Sequence, residues 1–109
     1  MKWPAMVRFY NSDELELIES QHDWETYLLQ TSHLDCQLIF SDGTLLKATF
    51  DETGNQPGKV LYEKIETISV DTAVEIARRH MAAQAHCCVS KFSAPSVAAV
   101  IDALLQLDD

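Results

Sequence analysis

Two histidines and two cysteines crowd into the fifteen-residue stretch RRHMAAQAHCCVSKF, residues 78–92. His80, His86, Cys87 and Cys88 are metal-ligand types, and a thiol beside an imidazole can also serve as nucleophile and base. The chemistry on offer is therefore a zinc centre or a thiol enzyme. The spacing opposes both. The stretch reads as the end of a helix followed by a strand over HCCVSKF, and successive strand side chains point to opposite faces. Cys87 then lies with Val89 and Lys91, and Cys88 with His86, Ser90 and Phe92. Neighbouring cysteines so divided cannot share one tetrahedral ion, and zinc motifs set their cysteines about two to four residues apart. The Cys-x-x-Cys redox motif is missing as well.

His86 and Cys88 on one face make half a site, whose completion would fall to His80, His22, His33 or Cys36. His80 sits on the edge of a helical face centred on Val70, Ala77 and Met81, which suits a hydrogen-bonded structural histidine. A free cysteine behaves as a small core hydrophobe. We expect no metal, no cofactor and no catalytic residue. Arg79, His80, His86 and Cys88, with Arg78 beside them, remain candidates for a pocket at the helix–strand junction. The acidic run Asp13, Glu14, Glu16, Glu19 and Asp23 lacks calcium-loop spacing and its glycine, and reads as a solvated edge. No phosphate loop, dinucleotide fingerprint or Gly-x-Ser-x-Gly elbow occurs.

The elements that position these residues follow from periodicity. AMVRFYN and ELELIES alternate as two short strands about the turn residues NSDE. Ser20 or Asp23 caps a helix near residues 22–31, with Trp24 as its anchor, while Trp3 is expected to be exposed. In LDCQLIFSDGTLLKATF, a two-residue Asp42-Gly43 turn would oppose Leu38 to Lys47. A three-residue loop, Ser41-Asp42-Gly43, pairs Phe40 with Thr44, Leu38 with Leu46 and Cys36 with Ala48. One face is then apolar, and a one-residue slip would invert it, so burial selects the longer loop with Gly43 left-handed. DETGNQPG is a polar loop, and KVLYEKIETIS fits an edge strand, weakly. Ser69 or Asp71 caps a helix of about fourteen residues. Pro95 starts the last helix, whose Val97, Val100, Ile101, Leu104 and Leu105 form an apolar stripe. The expected fold is α+β, in the order β-β-α-β-β-(β)-α-β-α. It is a mainly antiparallel sheet built from hairpins, with about three helices packed chiefly on one face.

The chain has 109 residues, 47% hydrophobic, which suits one domain over 1–109 and opposes disorder. Seventeen acidic and eight basic residues give a net charge of −9. That field repels polyanions, so neither nucleic acid nor an anionic membrane surface is an expected partner. Residues 1–58 carry 10 acids and 3 bases, against 7 and 5 in 59–109, so a basic partner would be drawn to the first half. No apolar run reaches the roughly eighteen residues of a membrane span. With three cysteines and no secretion signal, the expected setting is the reducing cytoplasm.

FSDGTLL, ISVDTAVEIARRH, HCCVSKF and APSVAAVI together resemble a small family of uncharacterised bacterial proteins of about this length. The resemblance spans most of the chain. It implies a bacterial cytoplasmic protein and no particular chemistry. The leading functional expectation is a small non-enzymatic module that binds a protein partner or itself. A partly apolar second sheet face, including Ile39 and Leu45, would supply the surface. The alternative is a small enzyme or ligand-binding protein with a pocket near His80 and Cys88.

Overall fold

Burial does choose the register of the central hairpin. In a computed structural model that describes residues 1–51, 59–86 and 89–107, β3 (Asp35–Phe40) and β4 (Thr44–Phe50) pair antiparallel. Cys36 stands opposite Ala48 and Leu38 opposite Leu46, the pairing of a three-residue loop. Gly43 has φ +88° and donates its N–H to the Phe40 carbonyl at 2.9 Å. Asp42 steadies the turn by accepting the Thr44 N–H at 3.0 Å, and that bond holds its carboxyl below the usual range. The Gly43 carbonyl also accepts the Ile68 N–H at 2.9 Å, drawing two backbones together. A Cβ on Gly43 would meet the Ile68 carbonyl oxygen at 2.9 Å. Gly43→Ala is therefore expected to destabilise by about 1–2 kcal/mol from the positive φ alone, with the backbone clash adding to it. A urea melt checks this, and an unchanged midpoint would contradict the turn geometry.

The hairpin extends into a five-stranded antiparallel sheet of order β2-β1-β3-β4-β5, with β1 (Ala5–Phe9), β2 (Leu15–Ile18) and β5 (Val60–Thr67). α1 (Gln21–Leu29) carries the chain from β2 across to β3. Its cap is Ser20, whose Oγ accepts the Asp23 N–H at 3.2 Å. α2 (Val70–Ala83) is capped by Ser69 in the same way, through the Thr72 N–H. It stops where Ala85 turns left-handed (φ 61°) and the His86 N–H closes back on the Met81 carbonyl at 3.0 Å. α3 (Val97–Leu107) starts from Ser96, whose Oγ accepts the Ala99 N–H, so Pro95 precedes the cap rather than opening the helix.

The architecture is the expected α+β, with two departures. Residues 86–92 were expected to be a strand, but Val89–Lys91 form a single 3₁₀ turn that the sheet does not include. Cys87 and Cys88 lie outside the described residues. The Arg78 guanidinium fixes this connection by donating to the Phe92 carbonyl from both Nε (3.0 Å) and Nη2 (2.7 Å). The second departure concerns the sheet's two faces. α2 and α3 share one of them, where Met6, Ile39, Leu45, Ala77, Val100, Ile101 and Leu104 form a buried cluster. Ile39 and Leu45 are thus core, not an open docking surface, because the stripe of α3 needs them as its floor. α1 covers the other face, where Trp24 is buried with Val7, Leu38, Phe40 and Ala48. Trp3 is not exposed either. Its ring packs edge-on to Phe40 at 5.1 Å and lies 6.5 Å from Trp24.

Candidate functional site

Helices α2 and α3 do not reach the whole of their sheet face, and what they leave bare is polar. Side chains that face one way along β1, β3 and β4 include Arg8, Gln37 and Lys47. The registers set Arg8 opposite Gln37, Gln37 opposite Lys47, and Lys47 opposite Glu63 of β5. The row floors a groove of about 700 Å³ that also takes in Asp35 and the β1–β2 turn, Tyr10 to Asp13. Arg8 and Gln37 are half-buried, Lys47 is exposed, and Tyr10 stands 83% exposed at the rim. Asn11 (φ 59°) lets the turn close without a glycine, since asparagine tolerates that region. Among the described residues no ion pair engages Arg8 or Lys47.

Cys36 also lines this groove but belongs to the core under α1. Burial pushes its thiol up to about 11, with the Asp35 carboxylate adding to the rise. At neutral pH it stays protonated and is a poor nucleophile.

Of the pocket candidates singled out from the sequence, the described ones line no common hollow. His80 is buried, and its Nδ1 accepts the Leu15 N–H at 2.9 Å, so the neutral ring carries its proton on Nε2. The ring lines a separate hollow of about 360 Å³ with Glu14, Glu16 and Gln84. Arg79 is exposed and pairs with Glu75 one helical turn back, at 3.4 Å. His86 is exposed, and its backbone closes α2. Cys88 lies outside the described residues. No three His, Cys, Asp or Glu side chains among those described gather as a metal site. The sequence reading missed the row of Arg8, Gln37 and Lys47. Half of it was available, because the β3–β4 register already sets Gln37 opposite Lys47. Arg8 enters only through the pairing of β1 with β3, strands separated in sequence by a hairpin arm and a helix.

The two edges of the sheet differ. β2 has four residues and lends its Leu15 N–H to His80. β5 has eight, with Leu61, Tyr62 and Ile65 exposed and no described strand beyond it. An irregularity at Leu45/Leu46 leaves Ile65 as an extra residue on the β5 side. No helix among the described residues is long and apolar enough to cross a membrane.

No curated protein matches the sequence at a significant level. Among solved structures, an NMR structure of a protein from Shewanella amazonensis superposes with a TM-score of 0.72 at 23% identity. It covers 100% of this chain and 91% of that one, a likeness that establishes the fold alone. The family model DUF4144, described as a protein structure with unknown function, matches residues 3–104, and the chain belongs to that family.

Proposed function

We infer that the chain is a non-enzymatic interaction module that receives an extended segment of another protein along the outer edge of β5. The contrast between the sheet's two edges carries this reading. An exposed edge presents a row of unpaired backbone groups, and proteins normally shorten, charge or cover such edges. β2 is treated in all these ways: it is short, flanked by Glu14 and Glu19, and tied to α2 through His80. β5 is twice as long and has no described strand beyond it, with Leu61 (43%), Tyr62 (40%) and Ile65 (46%) open to solvent. Strand addition takes its affinity from main-chain hydrogen bonds and its specificity from alternate side chains, and β5 offers both.

A second copy of the chain fits less well. Antiparallel pairing of β5 with itself about a two-fold axis opposes each residue to one on the same face. Registers centred on Glu63 or Lys64 set like charges against each other on the axis, and one centred on Ile65 places the irregularity of β5 at the middle of the pairing. The occupant is instead a strand with alternating apolar residues from a basic protein, drawn by the net charge of −9. The proposed setting is the cytoplasm, where a free buried thiol such as Cys36 stays reduced.

The test uses a synthetic peptide alternating valine and lysine, titrated into ¹⁵N-labelled protein. Amide shifts confined to β5 and β4 are expected, weakened at least tenfold by Leu61→Lys combined with Ile65→Lys. Light scattering of the unmodified chain should give a monomer. Shifts elsewhere, or none, would overturn the reading. A dimer that the double variant dissolves would make a second copy the occupant.

A further inference from the structure

Only eight cations serve seventeen carboxylates in this chain, yet two of the eight stand unneutralised on one stretch of sheet. Arg8 and Lys47 flank Gln37 on a single cross-strand row. With neighbouring strands about 4.7–4.9 Å apart, their Cα atoms lie about 10 Å from each other, so both long side chains can converge above the Gln37 amide. Among the described residues none of the three makes an ion pair or a side-chain hydrogen bond, although Glu63 stands opposite Lys47 on β5. Two like charges so placed repel each other along the row, and no ion pair among the described residues ties either into the fold. Local rules broken without structural return are expected at functional sites.

The groove is not uniformly cationic. Asp35 is two residues along β3 from Gln37, about 7 Å away at the usual strand rise, and Asp13 lines the same space from the turn. The four charged groups sum to zero but are separated by position. A phosphate-rich ligand would meet the carboxylates, and a simple amine would meet Arg8 and Lys47. The volume of about 700 Å³ falls within the range of small-molecule sites.

We propose that this groove binds a small zwitterion of dipeptide size. Its carboxylate is held between Arg8 and Lys47, with the Gln37 amide donating to it. Its ammonium faces Asp35 and Asp13. The site is separate from the outer edge of β5, so either reading can fail alone.

Glycylglycine, acetate and methylammonium serve as probes, each titrated into the ¹⁵N-labelled full chain. Glycylglycine is expected to shift the amides of Arg8, Asp35, Gln37 and Lys47 together and to saturate. Acetate should move only the Arg8, Gln37 and Lys47 row, at least tenfold more weakly, and methylammonium should move none of them. Arg8→Gln and Lys47→Gln should each weaken glycylglycine at least tenfold. Asp35→Asn should weaken glycylglycine but leave acetate unchanged, which a merely structural residue would not do. Urea melts establish that each variant is folded. The proposal is overturned if glycylglycine gives no saturable shift, if acetate binds as well as glycylglycine, or if the folded variants bind like the unmodified chain.

Discussion

Trp24→Ala is expected to cost about 3–5 kcal/mol, a large part of the 5–15 kcal/mol that holds a typical domain together. Trp24 is the one fully buried residue of α1, and every other contact that helix makes with the sheet is partial. Its ring stacks on Tyr27 at 5.5 Å and 15°, and its Nε1–H donates to the Tyr62 hydroxyl at 2.8 Å. Alanine would leave a cavity among Val7, Leu38 and Phe40 that the stiff central strands cannot collapse to fill. Trp24→Phe keeps most of the volume and loses the hydrogen bond, so it should cost clearly less. Tyr62→Phe isolates that bond and should cost about 1–3 kcal/mol, since the donor it strands belongs to the fully buried Trp24 ring. Urea melts followed by circular dichroism rank the three. A Trp24→Ala midpoint close to the unmodified one would mean that α1 is not anchored through this ring.

Ile101→Ala and Leu104→Ala should each cost about 2–5 kcal/mol. Both side chains are fully buried, three residues apart on α3, over a floor of Met6 and Ile39 with Ala77 of α2 alongside. Deleting residues 96–109 removes the whole stripe and uncovers Ile39 and Leu45 at once. The truncated chain is expected to be unfolded or aggregating. A sharp urea transition surviving the deletion would show that α3 is a detachable arm and not part of the core.

The elements legible in the sequence are those that burial writes into a pattern. Leu38, Phe40, Leu46 and Ala48 alternate because one side of their hairpin must be dry, and that fixed the turn at Gly43. Val97, Val100, Ile101 and Leu104 repeat with the helical period because α3 has one dry side. β5 wrote only a faint pattern, since neither of its faces is deeply covered and no burial constrains Leu61 to Thr67. The 3₁₀ turn at Val89–Lys91 was misread because a short apolar stretch such as CCVSKF has no period long enough to separate strand from turn. Trp3 was misplaced because its partners, Trp24 and Phe40, come from other elements. Residue type alone drew attention to His80, and the sequence could not show that its Nδ1 is committed to the Leu15 N–H, a partner 65 residues away. The groove depends on which strands become neighbours, a long-range outcome that spacing within one segment does not encode.

β1 and β3 are each built into both cores. Ala5 and Val7 point under α1 while Met6, between them, points under α2 and α3. Leu38 and Phe40 straddle Ile39 in the same way. Neither strand can loosen its packing on one side without moving the residues that fill the other. The two clusters lie on opposite faces of the sheet, yet the pleat makes them thermodynamically one object. A defect introduced beneath α1 should therefore lower the midpoint reported from α3 by the same amount. The sheet acts as the link that gives this small chain its cooperativity.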